Sequence, residues 1–308
     1  MWFKNILIYR FSKPFSLSAE ELESKLAEAP ALPCGPQEQF RQGWSAPLGR
    51  NGQQLVHVTG PYWMITLCKE ERILPSSVIK EALDEKVQAI EDEQARKVRK
   101  KEKDELKEEI ITDLLPRAFK RSSYTYAYID TSNNWLIVNA SSGKKADDLT
   151  SFLRKTLGSL PVKFPEVNSS PAAMMTAWVE GTDTIPGEFV INDECELQSQ
   201  SQEKSVVRCR GVDMAGDELQ THIKADKQVV KLALSWQERM SFIFNEDLSI
   251  KRIKFGEFVE EKMGDMNPES AAERFDASFS IMAAEFAEFI PQILNAFGGE
   301  DESKLVAA

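Results

Sequence analysis

The sequence has few of the residues from which metal, redox and nucleophilic sites are built. It contains only two histidines and four cysteines in 308 residues. The cysteines lie far apart without a CxxC pair, which predicts reduced thiols that behave as small buried hydrophobes. Neither histidine has a second ligand at a suitable spacing, and no GxxxxGK[ST], GxGxxG or GxSxG motif occurs. We therefore expect no catalytic site, no metal and no cofactor, in a protein that is not an enzyme.

Long apolar runs are also missing. No stretch approaches the roughly 18 apolar residues that a membrane-spanning helix needs. The first eleven residues carry Lys4 and Arg10 and lack both the apolar core and the cleavage site of a signal peptide. These absences predict a soluble, cytoplasmic protein. The length suits roughly two domains, which we place at residues 1–168 and 169–308.

Positive charge is scarce overall and concentrated in one stretch. The chain has a net charge of −11, yet residues 94–121 hold ten basic and six acidic side chains. From Gly256 to the C-terminus there are three basic residues and twelve acidic ones. Such segregation is typical of a protein that turns a cationic face to a polyanion, although a solvated helix with i,i+4 ion pairs is the alternative. The negative total does not exclude DNA, because salt screens distant charges beyond about 10 Å.

The order of hydrophobic patterns predicts an α+β fold with antiparallel sheets. Hairpins, single helices and a three-stranded meander follow one another without βαβ alternation. A long helical region begins after Pro75 and ends at Pro116, as two helices or as one with a break near residues 99–103. A last long helix, from about Pro268 to Phe297, has an apolar face wide enough for its own core and a partner.

The helical region within residues 76–121 loses its apolar stripe midway. Between residues 96 and 103 only Val98 is apolar, so we expect this turn to protrude from the body of the protein. A protruding cationic helix can reach phosphates while the rest of the protein stays clear. The candidate DNA contacts in this turn are Arg96, Lys97, Arg99, Lys100, Lys101 and Lys103.

A second group of candidates follows the proline that ends the helical region. It consists of three cations and one aromatic residue: Arg117, Phe119, Lys120 and Arg121. Phe119 either folds back onto Leu115, which we slightly favour, or is held for a base or sugar. No helix-turn-helix, zinc-finger or RNA-recognition signature occurs. Contact through the phosphate backbone, with weak sequence preference, is the expected mode.

Seven segments spread over the chain carry a family resemblance. They are MWFKNILIYR, EERILPSSVIKEALDEKV, EQARKVRKKEKDELKEEI, LLPRAF, LRKTLGSLPV, KLALSW and ERFDASF, in this order. With them the chain resembles the bacterial recombination-associated RdgC family. The resemblance implies a non-enzymatic, nucleoid-associated DNA-binding protein. It also implies a ring-shaped homodimer whose positively charged hole encircles duplex DNA and which restrains RecA-mediated strand exchange.

The resemblance also assigns roles to particular residues. It implies that residues 96–103 and 117–121 face double-stranded DNA without sequence specificity, with single-stranded DNA as a further possible partner. The matching is poorest at residues 195–215, so whether Arg208 and Arg210 contact DNA stays open. The alternative function is a non-nucleic-acid adaptor whose basic helix docks an acidic protein. That adaptor needs an apolar docking stripe, for which residues 96–103 offer only Val98.

Overall fold

The computed structural model describes residues 1–201, 205–265, 268–301 and 303, which form an α+β fold and confirm the expected class. The helices are α1 (Ala19–Ala27), α2 (Ser76–Gln94), α3 (Lys100–Leu114), α4 (Gly143–Leu157), α5 (Pro171–Glu180), α6 (Asp217–Lys224), α7 (Glu257–Asp265) and α8 (Ala271–Ala296). The strands are β1 (Ile6–Phe11), β2 (Phe40–Ser45), β3 (Val56–Thr59), β4 (Tyr62–Ile73), β5 (Phe119–Asp130), β6 (Trp135–Asn139), β7 (Val162–Lys163), β8 (Phe189–Ser199), β9 (Val206–Arg210), β10 (Lys227–Trp236), β11 (Met240–Asn245) and β12 (Ile250–Phe255).

The chain divides into two compact units, each built from separate stretches of sequence. The large unit comprises residues 1–25, 46–65 and 125–308, and the small unit comprises residues 26–45 and 66–124. Two boundaries of these units fall within β4 and β5, one falls within α1, and one directly follows β2. The domain division at residue 168 remains a prediction, as does the ring-shaped homodimer.

The large unit is built on an antiparallel sheet. Its strands follow the order β5-β6-β1-β12-β11-β10-β8-β9, and β10, β11 and β12 form the predicted meander. One face of this sheet carries alternate apolar side chains such as Leu232 and Leu234, which are fully buried. Because α8 belongs to the same apolar cluster, a core lies on that face. The opposite face is open at β8, β9 and β10, whereas at β1 and β6 its side chains, such as Tyr9 and Leu136, are buried as well.

Helix α8 uses its apolar face within its own chain. Phe279, Phe286 and Phe289 are completely buried in the core cluster of the large unit. The apolar face of α8 thus packs in the core of its own unit, and its use by a partner stays a prediction. The expected fraying of the C-terminal tail concerns residues that lie mostly outside the described ranges.

The helix ends follow the signals read from the sequence. The Ser18 amide donates to Glu21 Oε2 at 2.7 Å, and the Glu21 amide donates to Ser18 Oγ at 3.2 Å, which is the capping box that a Ser-x-x-Glu sequence predicts before α1. Ser170 Oγ accepts from the Ala173 amide at the start of α5. Gly158 ends α4 with a φ of 78°, the left-handed conformation that glycine adopts without strain.

The small unit contains a strand that the sequence pattern missed. Trp44 lies in β2, pairs with Leu67 of β4 and is only 1% exposed. The glycine before it makes this possible. A Cβ on Gly43 would lie 2.4 Å from the Pro30 carbonyl oxygen, so only glycine lets β2 approach the preceding segment. The bulky indole then fills the core of the small unit.

Candidate nucleic-acid interface

The basic segment of the small unit is a helical hairpin rather than one continuous helix. Helix α2 ends where Ala95 takes a left-handed φ of 49°, and α3 begins at Lys100. The two helices contact each other through a Lys86 Nζ–Glu109 Oε2 ion pair of 3.1 Å. Of the two forms predicted for this region, the structure therefore has two helices with a break at residues 95–99.

The tip of this hairpin, residues 95–103, holds most of its positive charge. Six cations and one acid give the tip a net charge of +5, and the six cations are exposed. Val98 is the exception, because it is 7% exposed and its amide donates to Glu91 Oε1 at 2.9 Å. Val98, the only large apolar side chain of the tip, thus anchors the loop. It leaves an adaptor partner no apolar stripe to dock on.

Two of the six tip cations form ion pairs with acidic side chains. Arg96 makes a two-pronged contact with Glu102, with N–O distances of 2.6 and 2.8 Å, and these hydrogen bonds lower the pKa of Glu102. Lys101 is 91% exposed and lies 3.9 Å from Glu105, a pair that contributes little in water. Within the described ranges, the other four tip cations form no ion pair: Lys97, Arg99, Lys100 and Lys103.

The lysines of the tip lie where they do not help the helix. Lys100, Lys101 and Lys103 occupy the first turn of α3, at the positive end of the helix dipole. Cations there cost about 0.3–1 kcal/mol each, and the Lys101–Glu105 order is the less favourable one for an i,i+4 pair. Helix stability therefore does not explain these lysines.

The second predicted cluster follows a 3-10 turn, Leu115–Arg117, that leads into β5. Leu115 is 4% exposed, whereas the Phe119 ring is 85% exposed. The preferred expectation that Phe119 folds back onto Leu115 is therefore wrong. Phe119 is the first residue of β5, and strand geometry directs it to the same face as Arg121 rather than into the core.

Arg72 of β4 holds the 3-10 turn in place. Its Nε donates to the Gly35 carbonyl at 3.0 Å, and its Nη1 donates to the carbonyls of Leu115 and Pro116 at 2.9 and 3.1 Å. The Leu115 and Pro116 carbonyls belong to the end of the helical region, where a cation is favoured. The turn that presents Arg117 is thus fixed, and Arg117 has no ion pair among the residues that the structure describes.

The remaining two cations of this cluster have fixed partners. Lys120 Nζ lies 3.2 Å from Glu70 Oε1 and 3.0 Å from the Cys34 carbonyl oxygen. Arg121 Nε donates to Glu71 Oε1 at 3.0 Å. The pKa of Glu70 is lowered, first by the amide of Cys34 and then by Lys120. Lys120 of β5 is therefore bound to Glu70 of β4. Arg121 has a side chain that is 65% exposed, and it projects further into solvent than Lys120 does.

The large unit carries a further cationic cluster, which the sequence analysis identified only in part. On the open sheet face, Arg208 and Lys231 bind Glu196 at 2.7 and 2.8 Å. Burial raises the pKa of Glu196, but the hydrogen bonds from Lys231 and Arg208 outweigh it and lower the pKa. In the same way, Arg210 and Arg252 share Glu194. Four cations thus share two carboxylates, and an excess of positive charge remains on this face.

A signal for this second cluster was present in the sequence. Basic residues recur in SIKRIKF and at alternate positions of VVRCR, and such side chains reach the open face of a half-buried sheet. The missing information was which strands are neighbours. Arg252 also takes a φ of 53°, an unusual conformation for arginine, where the pairing of β11 and β12 is irregular.

The described ranges contain no group of three or more His, Cys, Asp or Glu side chains suited to hold a metal ion. His57 Nε2 lies 2.9 Å from Asp276 Oδ1, and His222 Nδ1 lies 3.4 Å from Lys227 Nζ, so both histidines have polar partners within the large unit. None of the helices in the described part of the chain is long and apolar enough to cross a membrane.

Comparison with known proteins gives a family. A family model described as "Putative exonuclease, RdgC" matches residues 1–300. A recombination-associated protein RdgC of Aeromonas hydrophila is 47% identical over 304 residues, which cover 98% of this chain and 100% of that protein. The proteins of the same name from Psychromonas ingrahamii and Pseudomonas putida are each 46% identical, over 97% and 98% of this chain and 99% and 98% of their own lengths. The name of these relatives states a link to recombination and no catalytic activity. This chain belongs to the RdgC family.

Proposed function

We propose that this protein binds double-stranded DNA through the phosphate backbone, without sequence specificity, as a cytoplasmic, nucleoid-associated protein. One observation carries the proposal: the hairpin tip exposes six cations within nine residues. Four of them have no ion pair in the described part of the chain. A polyanion is the ligand that matches such a surface, because every phosphate contact releases a condensed counterion.

The chemistry of the tip favours backbone contacts over base reading. Four of its six cations are lysines, which act as flexible point charges, whereas base reading in the major groove relies on rigid two-pronged contacts. Arg96, one of its two arginines, already uses its planar edge on Glu102. The 3-10 turn adds Arg117 as a further phosphate ligand, with Phe119 beside it.

The family supplies the biological setting. Because the chain belongs to a recombination-associated family, we propose that it acts as a ring-shaped homodimer that encircles the duplex. In this role it restrains RecA-mediated strand exchange. The resemblance supports the ring. The exposed cations of both units support a positive charge on the surface that lines its hole. A protein adaptor is less well supported, since Val98 is buried and the only other apolar side chain of the tip is the methyl group of Ala95.

We expect the protein to sediment as a homodimer at micromolar concentration. A single chain has no evident means of surrounding a duplex, and two-fold symmetry is the commonest closed arrangement. Sedimentation velocity at several concentrations measures this. Because the apolar side chains of α8 are buried in the core of their own unit, the dimer should persist when exposed residues of α8 such as Glu288 are changed. A monomer at all concentrations would remove the ring while leaving backbone binding intact.

Binding to random-sequence duplex DNA should be steeply dependent on salt and nearly independent of sequence. If Arg117, the four unpaired tip cations and the weakly paired Lys101 each contact one phosphate, log K should fall against log salt with a slope of about −5.4 per contacting chain. Fluorescence anisotropy with two unrelated duplexes between 50 and 200 mM salt, about the range over which such contacts change affinity most, measures both properties.

Three outcomes of this titration would contradict the proposal. A flat salt response would exclude phosphate contacts, and a preference of more than about a hundredfold between duplexes would require base reading. Loss of labelled ends when Mg²⁺ is added would instead support the exonuclease description of the family. Recovery of full-length DNA, together with the expected slope, supports a binding protein.

A further inference from the structure

Two cysteines that lie apart in the sequence face each other in the sheet of the large unit. Cys195 of β8 is the register partner of Cys209 of β9, and both belong to the core cluster. Directly opposite residues of antiparallel strands have Cα atoms about 4.5 or 5.5 Å apart. Both separations fall within the range of about 4.4–6.8 Å that a disulfide spans, so a bond between these side chains needs no rearrangement of the backbone.

The register of the cysteine pair is fixed on both sides. Glu194 is the register partner of Arg210, and an ion pair of 3.1 Å joins their side chains. Glu196 and Arg208 are joined in the same way at 2.7 Å. Because successive side chains of a strand point to opposite faces, these ion pairs lie on the open face and the cysteines point into the core. A slip of one residue would bury the charges, so the two thiols stay opposite each other.

Both thiols are reduced in the structure, and they share a hydrogen bond. Burial, and then the proximity of Cys209, raises the pKa of Cys195 to about 12. Since the thiolate is the reactive form, the pair resists oxidation at neutral pH unless an oxidant persists. Cys209 is 8% exposed and Cys195 is 2% exposed. Cys209 also lies on the edge strand of the sheet, which opens more readily than a central strand, so it meets a reagent first.

We propose that Cys195 and Cys209 are a site of reversible disulfide formation that locks the edge strand β9 onto β8. The oxidant is a small-molecule disulfide such as oxidised glutathione. The Cys209 thiolate attacks one sulfur atom of this reagent and releases one small thiol. The Cys195 thiolate then attacks the Cys209 sulfur of the mixed disulfide, and a second small thiol leaves. The two cysteines lose two electrons to the reagent, and their protons end on the two released thiols.

The disulfide closes a loop of fifteen residues, from Cys195 to Cys209. Closing a loop of this length reduces the conformational entropy of the opened chain and should make opening of β9 roughly 100-fold rarer. Because β9 carries Arg208 and Arg210, the lock also holds these two cations in place on the open face. The cysteines themselves lie on the core face and need no nucleic acid. The site is therefore independent of the proposed DNA-binding function.

The test exposes the native protein to oxidised glutathione, quenches with acid, blocks the remaining thiols in denaturant and identifies the peptides by mass spectrometry. The parent protein should lose two of its four free thiols. It should gain a peptide pair joined through Cys195 and Cys209, lighter by two hydrogen atoms than the separate peptides. Dithiothreitol should restore both thiols. Hydrogen exchange then compares the opening of β9 in the oxidised and the reduced protein, with the roughly 100-fold difference expected.

Cys34→Ala/Cys68→Ala is the matched control, because it removes the two cysteines of the small unit and keeps the pair. It should form the same disulfide at the rate of the parent. Cys209→Ala should form no internal disulfide, and exchange in its β9 should not respond to oxidised glutathione. Three results would overturn the inference: four free thiols in the treated parent, a disulfide that joins other cysteines, or equal opening of β9 in the oxidised and reduced protein.

Discussion

Reversing two charges at the hairpin tip should separate DNA binding from folding. The double variant Lys100→Glu/Lys101→Glu removes two cations that are exposed, of which only Lys101 has an ion pair, a weak one. Loss of two phosphate contacts should lower affinity for random duplex DNA roughly 60-fold at about 0.1 M salt. It should also make the slope of log K against log salt less steep by about 1.8. Anisotropy titrations at several salt concentrations measure both quantities.

The same variant should melt at the parent temperature or above it. Both positions lie in the first turn of α3, where a carboxylate is favoured by about 0.3–1 kcal/mol and a cation is disfavoured. A loss of affinity with unchanged or higher stability then does not come from unfolding. Thermal melting followed by circular dichroism, run on the protein samples used for binding, provides this comparison.

Lys80→Glu/Lys107→Glu is the matched control for the tip. Lys80 and Lys107 are exposed residues of the same two helices, outside the tip, and the net charge changes by the same amount. A general electrostatic effect would weaken binding equally in both double variants. A local contact predicts a much smaller change in the control. Equal losses would mean that the protein responds to its total charge and that the tip has no special role.

The parts of the fold with a strong local signal were predictable from the sequence. The capping box at Ser18 and Glu21, the Ser170 cap and the helix over residues 217–224 all appear where local patterns place them. Each of these features depends on residues within one or two helical turns. The information is therefore contained in a short window of sequence, and distant parts of the chain do not have to be known.

Strand β2 shows why other elements could not be predicted. Its sequence, FRQGWS, has no alternating apolar pattern, and glycine and proline residues precede it. Its position depends on β4, which lies more than twenty residues later, and on the space that Gly43 leaves for Pro30. Helix α7 could not be predicted for a related reason. Its sequence, EFVEEKMGD, is mostly polar, and only Val259 is fully buried among its described side chains.

The candidate site was predictable in its charges and not in its geometry. The sequence alone located every cation of the tip and of the 3-10 turn. The acids that bind Lys120 and Arg121 lie about fifty residues earlier and meet them only because β4 and β5 are neighbours. The exposure of Phe119 has the same origin, since the alternation of β5 decides its direction. Such contacts join residues far apart in the sequence, so they can be identified only when the pairing of the strands is known.

The largest expected effect on stability concerns Glu285, a carboxylate buried in α8. Its side chain is 3% exposed, and it binds Arg239 Nη2 at 2.6 Å and Lys262 Nζ at 2.9 Å. Glu285→Ala should lower the free energy of unfolding by about 3–5 kcal/mol. The substitution leaves Arg239, which is only 17% exposed, without its buried partner. Urea denaturation followed by circular dichroism measures the change.

Glu288 provides a control on the same helix and the same arginine. It binds Arg239 Nη1 at 2.7 Å, but its side chain is 46% exposed. Because water screens and solvates this pair, Glu288→Ala should cost no more than about 1 kcal/mol. The difference between the two variants isolates the contribution of burial, since both remove one carboxylate from Arg239. Equal losses would show that Arg239 is held mainly by the Trp236 ring, whose centre lies 4.7 Å from its guanidinium carbon, and not by the buried acid.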